Sequence, residues 1–186
     1  MAVDVDAGLS WEELEAGLPE VLRAPQRAGT VELIVCRPEE GERRLLEEAE
    51  LDVDLGLVGD MWHRRPSRRT GAVNPEAQIT LMNARATDLV AGGERERWAL
   101  AGDQLYVDLD LSEESLPART RLAVGTAVLE LTDEPHTGCA KFRARFGSDA
   151  LKLVNGKAHR HLRLRGANAK VVEPGVVRTG DAIRVL

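Results

Sequence analysis

Cys139 carries the strongest sequence signal for chemistry in this chain. It stands between a strand-like segment, residues 121–131, and a basic, helix-compatible segment, residues 141–146. A thiol at such a junction can lie near free backbone N–H groups, which favour the thiolate, and the nearby positive charges act in the same direction. A thiolate attacks sulfur and carbon electrophiles and binds soft metals. The alternative is a small buried hydrophobe, although polar and glycine neighbours argue against a sealed core.

Histidines near this cysteine open two further alternatives. His136 lies three residues before Cys139, so a cysteine hydrolase using His136 or His159 as the base is conceivable, given a third group that orients the base. A zinc site could combine His136, Cys139, His159 and His161, but no second Cys-x2-Cys and no His-Glu-x-x-His pattern supports it. P-loop, Gly-x-Gly-x-x-Gly and Gly-x-Ser-x-Gly motifs are absent, so nucleotide binding through those devices and serine hydrolysis lack support.

Two basic segments interrupt an otherwise acidic sequence of net charge −6. Residues 61–71 hold four basic and no acidic residues, and residues 137–170 hold nine basic and one acidic. Such segments can line an anion site, or they can be solvated faces. A nucleic-acid surface is disfavoured, because the remainder is acidic and aromatic residues make up only 3% of the chain. We therefore predict an anionic cofactor or small-molecule ligand and no nucleic-acid partner.

The elements that position these residues are mostly short strands separated by glycines. Alternation and β-branched residues predict strands at residues 30–37, 78–82, 105–109, 119–124, 126–131, 169–172, 176–178 and 182–186. Strands and helices do not alternate regularly enough for a doubly wound parallel sheet. The sequence instead predicts an α+β, β-rich fold, a closed or nearly closed β-barrel with peripheral helices.

Helix signals are fewer. Ser10 and Glu13 form a capping-box pattern, which predicts a short helix ending near residues 17–19. Further helices are predicted at residues 83–91 and 148–154, and the charged segment 39–50 also favours a helix. Cys36, on the face of a strand opposite its main apolar face, is interpreted as structural. Asp60 and Asp103 each follow a glycine and are interpreted by default as turn formers.

The length of 186 residues suits a single domain. We predict an N-terminal helical appendage at residues 1–28 and a barrel domain at residues 29–186. No apolar run approaches the roughly 20 residues of a membrane span. The two cysteines are far apart in sequence and give no disulfide framework, so we predict a cytoplasmic protein with no membrane partner.

Several stretches, taken in order around Cys139, resemble the MOSC domain, a family named for the C-terminal domain of molybdenum-cofactor sulfurase. They are residues 56–60, 102–108, 110–112, 136–146, 165–172 and 174–181. The resemblance covers roughly residues 28–186, and it implies a stand-alone member with the barrel fold of the family. Two positions differ from many members: Gly138-Cys139 replaces Pro-Cys, and Gly102-Asp103-Gln104 replaces Gly-Glu-Asn.

The resemblance implies a role in molybdenum-cofactor chemistry, with Cys139 and His136 as the catalytic candidates. Cys139 would either ligate molybdenum held by a pterin dithiolene, as in a small-molecule reductase, or carry sulfane sulfur as a persulfide. In the full-length sulfurases a separate pyridoxal-phosphate domain supplies that sulfur; the chain is too short to contain one, so pyridoxal phosphate would belong to a partner. The competing hypothesis is a non-catalytic anion-binding barrel in which Cys139 is structural. Whether the protein is an enzyme stays open at this point.

The same resemblance gives a set of residues for the pterin phosphate, because guanidinium groups match phosphate geometry well. These are Arg64, Arg65, Arg68, Arg69, Lys141, Arg143, Arg145, Arg163, Arg165 and Asn168. A sulfur donor or an electron-transfer protein would be the macromolecular partner.

Overall fold

The computed structural model describes residues 8–66 and 70–186, which form eleven strands and three α-helices. The strands are β1 Ala28–Cys36, β2 Arg44–Leu46, β3 Glu48–Asp52, β4 Gly56–Leu57, β5 Ile79–Asn83, β6 Leu105–Asp108, β7 Arg121–Val124, β8 Ala127–Leu131, β9 Ala167–Glu173, β10 Gly175–Arg178 and β11 Ala182–Val185. The helices are α1 Trp11–Val21, α2 Ala84–Val90 and α3 Ala140–Asn155. Short 3-10 helices cover Trp62–Arg64, Pro75–Ala77, Arg95–Ala101 and Lys157–Leu162.

Seven of these strands close into a barrel in the order β1, β11, β7, β8, β9, β5, β6 and back to β1. The barrel closes because β1 is long: residues 28–30 pair with β11, while residues 30–34 pair with β6. Every neighbouring pair is antiparallel except β5 and β6, which are parallel and are connected through α2. A smaller sheet, in the order β10, β3, β4, completes the structure. The predicted β-barrel is confirmed.

Alternation along the strands divides the apolar residues between two cores. In β6, Leu105 and Val107 face the barrel interior, whereas Tyr106 lies in a second core between the barrel wall and the helices. Leu14 of α1 and Phe142 of α3 are fully or almost fully buried in that outer core. The helices therefore stabilise the fold by covering one side of the barrel, as predicted for peripheral helices.

The predicted helix at residues 39–50 is wrong. This segment contains β2, which pairs with the end of β1, and β3, which pairs with β10. Pairing turns Ala49 and Leu51 into the barrel core and leaves the alternating Glu48 and Glu50 exposed. The burial gained by pairing outweighs intrinsic helix propensity, which is a weak local preference.

Helix α1 begins as predicted, with the reciprocal capping box of Ser10 and Glu13, but it extends beyond the predicted end. It passes through Gly17 and Pro19 and ends at Val21, which is buried in the outer core. Gly17 is a point of close contact, since a Cβ atom there would lie 2.3 Å from Leu89 Cδ1 of α2. Among the described residues, no helix combines the length and apolarity required to cross a membrane.

Candidate functional site

Cys139 is the N-cap residue of α3, at the end of an irregular segment that follows β8. Its thiol is free and the residue is exposed. It opens onto a cavity of about 720 Å³, here called the thiol cavity. The other side chains of functional interest around this cavity are those of Glu40, Trp62, Arg65, Asn74 and Lys141.

The surroundings of Cys139 favour the thiolate. Partial burial of the sulfur raises its pKa, but the backbone N–H groups of Phe142 and Lys141 lower it. The positive charges of Arg165 and Arg145 act in the same direction, so that the pKa of the Cys139 thiol lies below its ordinary value. This is the behaviour expected of a thiol at the N-terminus of a helix.

Cys36 shows the opposite behaviour. It lies at the end of β1, 5% exposed, within the barrel core. Burial and the negative charge of Asp60 raise the pKa of its thiol. The interpretation of Cys36 as structural therefore agrees with its position.

A buried cluster of three charged or titratable side chains lies beside the irregular segment. Asp103, which has no exposed surface, accepts a hydrogen bond from Arg165 Nη1 at 2.6 Å through Oδ2. Its other oxygen, Oδ1, lies 2.7 Å from His136 Nε2. Arg165 also donates to the carbonyl oxygen of Ala101 and lies over the ring of Phe142, 5.1 Å from its centroid. The cluster thus joins the segments that directly precede β6, Cys139 and β9.

Electrostatics fix the protonation of this cluster. Burial alone would raise the pKa of Asp103, but Arg165 and His136 lower it to well below its usual range, so the carboxylate is ionised. Burial and the charge of Arg165 lower the pKa of His136, and they outweigh the opposing effect of Asp103. His136 is therefore neutral near pH 7. Because an ionised carboxylate only accepts hydrogen bonds, we assign the imidazole proton to Nε2, which leaves Nδ1 as an acceptor.

A second buried ion pair braces the same region. Arg37 makes two parallel hydrogen bonds to the carboxylate of Asp60, each 2.9 Å long, through Nε and Nη2. Its Nη1 donates to the carbonyl oxygen of Gly102, directly before Asp103. The interpretation of Asp60 and Asp103 as turn formers is incomplete: Asp60 Oδ1 accepts the Trp62 N–H two residues on, but both carboxylates are also fully buried and ion-paired. A Gly-Asp pair gives no local signal of such pairing, since its partners are distant in sequence.

The residues predicted to hold a phosphate lie in different places. Arg65 and Lys141 line the thiol cavity. A second cavity of about 630 Å³, here called the histidine cavity, is lined by His136, Arg163, Arg165 and Asn168. Arg64, Arg143 and Arg145 line neither cavity and bind Pro38 O, Ser148 Oγ and Leu100 O, respectively. Arg68 and Arg69 lie outside the described residues.

The structure argues against the hydrolase and zinc alternatives. Asp103 orients the His136 imidazole, as a general base requires, but His136 and Cys139 line different cavities. The His159 ring lies beside Trp11, with 6.3 Å between ring centroids. Within residues 8–66 and 70–186, no three His, Cys, Asp or Glu side chains come together as a metal-binding group. A metal at Cys139 would therefore depend mainly on ligands supplied by another molecule.

Comparison with known proteins places the chain in a family. The family model for the MOSC domain matches residues 63–184, about two thirds of the sequence, and the chain therefore belongs to the MOSC domain family. This family is associated with molybdenum-cofactor-related proteins. No curated protein matches the sequence significantly.

Solved structures show the same fold at low sequence identity. The YuaD protein from Bacillus subtilis is 19% identical, with a TM-score of 0.64 over 85% of this chain and 95% of its own. YiiM from Escherichia coli is 17% identical, with a TM-score of 0.54 over 84% of this chain and 69% of its own. A protein described as hypothetical is 18% identical, with a TM-score of 0.56 over 86% of this chain and 68% of its own.

Proposed function

We propose that this protein acts on the molybdenum cofactor through Cys139, either by ligating its metal or by carrying sulfur. The observation that carries the proposal is an exposed cysteine whose thiol has a lowered pKa and opens onto a cavity with cationic side chains. Thiolate is a soft ligand that suits molybdenum better than the oxygen or nitrogen donors of other side chains. Family membership supports the same chemistry in general terms.

The residues around Cys139 fit an anionic, planar ligand. Lys141 and Arg65 could neutralise a phosphate at the thiol cavity, and the Trp62 ring offers an apolar face. Lys141 is bound to Glu40 in the structure, so phosphate binding there would replace an exposed ion pair. Arg165 is 6% exposed, and its Nε has no hydrogen-bond partner within the described part of the chain. This unsatisfied donor, in a residue that lines the histidine cavity, is the kind of group that a bound anion would satisfy.

The cofactor, when bound, would supply the redox chemistry for reduction of a small molecule. The chain itself would supply the thiolate of Cys139 and the positive charges around it, whereas His136 lines the separate histidine cavity. An electron-transfer protein would be the partner in this form of the proposal.

In the sulfur-carrier form, the thiolate of Cys139 would attack the outer sulfur of a persulfide on a partner protein. The sulfur–sulfur bond of the partner would break, its thiolate would leave, and Cys139 would become the persulfide. The pyridoxal-phosphate chemistry that generates the first persulfide would belong to that partner.

The test is the molybdenum, phosphorus and persulfide content of protein purified from a host that makes the cofactor. Cys139→Ser should lose bound molybdenum or the persulfide, because a hydroxyl is a poor soft-metal ligand and cannot hold sulfane sulfur. Its free energy of unfolding should change by less than about 1 kcal/mol, as is usual for an exposed site. Cys36→Ala is the matched control and should retain molybdenum or sulfur wherever it folds. Wild-type protein with an anion but neither molybdenum nor persulfide would instead support the non-catalytic anion-binding barrel.

A further inference from the structure

Helix α3 is broken at its centre. Gly147 has φ 90° and ψ 168°, a conformation that is essentially restricted to glycine. The break separates residues 140–146, which follow Cys139, from residues 148–155. The backbone of Gly8 packs against it, with Gly8 Cα 3.3 Å from the position that a Cβ atom on Gly147 would take.

The break brings the two ends of α3 together. An unbroken helix of 16 residues would be about 24 Å long, and its ends would be far apart. Instead, Asn155, the last residue of α3, contacts Gly138, which immediately precedes the N-cap. The Gly138 N–H donates to Asn155 Oδ1 at 2.8 Å, and Asn155 Nδ2 donates to the Gly138 carbonyl oxygen at 3.0 Å.

Gly138 packs closely against the second half of α3. A Cβ atom on Gly138 would lie 2.7 Å from Leu151 Cδ1 and 3.2 Å from Val154 Cγ2. Proline at this position would also lack the N–H that donates to Asn155. The Gly-Cys pair at residues 138 and 139 is therefore matched to Asn155.

We propose that Asn155 is a positioning residue for Cys139, acting through the two hydrogen bonds that hold the preceding peptide group. Both polar backbone atoms of Gly138 are fixed, and Asp103 fixes His136 two residues earlier. The thiol is thereby held at the N-terminus of α3, where the N–H groups of the first turn favour the thiolate. The functional value of this arrangement rests on the function proposed above; its effect on the thiol does not.

A purely structural role for Asn155 makes a different prediction. If Asn155 only ended the helix, its loss would lower stability without changing the thiol of the folded protein. The charges that act on the Cys139 thiol are those of Arg165 and Arg145, while the ion-paired Lys141 and Glu40 line the same cavity; substituting Asn155 alters none of these groups. A change in the pH dependence of Cys139 alkylation would therefore show that the thiol has moved relative to the N-terminus of α3.

The experiment compares wild type with Asn155→Leu, which has the same number and branching of side-chain heavy atoms and no hydrogen-bonding group. Site-resolved mass spectrometry measures Cys139 alkylation as a function of pH and, separately, amide exchange at Gly138. We expect the alkylation midpoint to rise toward about 8.5, the ordinary value for a thiol. We expect the Gly138 amide to exchange about fivefold faster, because the variant lacks the hydrogen bond that protects it and one ordinary hydrogen bond is worth about 1 kcal/mol. The control is Lys152→Ala in the same half of α3, which removes only an exposed ion pair with Asp149. It should leave the alkylation midpoint and the Gly138 exchange rate unchanged.

A second variant keeps the test valid if Asn155→Leu does not fold. Asn155→Gln keeps the amide and moves it by one methylene, so both measurements should change in the same direction by a smaller amount. Folded variants with the wild-type alkylation midpoint and a protected Gly138 amide would overturn the proposal. Because no molybdenum is involved in these measurements, their outcome is independent of the cofactor experiment above.

Discussion

Removing the charge of Asp103 should destabilise the protein strongly. Asp103 is fully buried, and the side chain of its partner Arg165 is only 7% exposed. In Asp103→Asn the shape is kept, but Arg165 remains buried without a counter-charge, and an amide cannot accept hydrogen bonds from both neighbours as the carboxylate does. Loss of one partner of a buried ion pair costs about 3–5 kcal/mol, a large part of the 5–15 kcal/mol that stabilises a typical domain.

Urea unfolding followed by circular dichroism measures this change. The midpoint should fall while the slope with urea stays constant, because the surface exposed on unfolding is the same. The double variant Asp103→Asn/Arg165→Met removes both charges and should lose less than the sum of the two single variants. The exposed pair of Arg178 and Glu48 is the control, and Glu48→Gln should cost less than about 1 kcal/mol.

The pH dependence gives an independent check on the same reasoning. The folded-state pKa of Asp103 lies below its unfolded value, so its contribution to stability is complete above about pH 4 and is lost as the pH falls further. As the pH falls below about 4, the free energy of unfolding should therefore decrease more for wild type than for Asp103→Asn. A cost below about 1 kcal/mol for Asp103→Asn, additive with Arg165→Met, would refute the view that this buried cluster stabilises the site.

Three further predictions concern the thiols, the histidine and the helix break. In native protein at pH 7, iodoacetamide should alkylate Cys139 faster than Cys36. The Cys139 thiol is exposed and its pKa is lowered, whereas the Cys36 thiol is buried and its pKa is raised. Equally slow alkylation of both cysteines would contradict this prediction. NMR titration should give His136 a pKa below the ordinary histidine value of about 6.5. Because the unfolded chain then binds the proton more readily, the free energy of unfolding should fall as the pH drops below about 6.5. A measured His136 pKa at or above about 6.5 would contradict this prediction. Gly147→Ala should lower the free energy of unfolding by about 1–3 kcal/mol, because alanine is strained at φ 90°. An unchanged midpoint in thermal or urea unfolding would show that the helix break does not require glycine.

Local sequence signals predicted the elements that depend on neighbouring residues. The capping box of Ser10 and Glu13 occurs in the structure, and the helix predicted at residues 148–154 is the second half of α3. Alternation predicted most of the barrel strands, since period-two burial is a property of each strand alone. The position of Cys139 at the start of a helix was also predictable, because the basic helix-forming segment follows it directly.

Segments whose structure depends on distant partners were not predictable in this way. Residues 39–50 have the composition of a helix, yet they form strands because β1 and β10 offer pairing partners that bury Ala49 and Leu51. Helix α1 continues past Pro19 because Val21 is buried in the outer core. In both cases burial against distant elements outweighed local preference.

The sequence by itself determined the barrel class, the family resemblance and the choice of Cys139 as the candidate functional thiol. Only the tertiary structure decided which side chains line the cavity of that thiol and which form the buried cluster beside the preceding segment. Asp103, His136 and Arg165 come from three segments, and the Asp103–Arg165 ion pair and the Asp103–His136 hydrogen bond form only once the barrel has closed. Asn155 reaches Gly138 only because α3 folds back at its central glycine. Such contacts follow from chain topology, which residue types and local spacing do not encode.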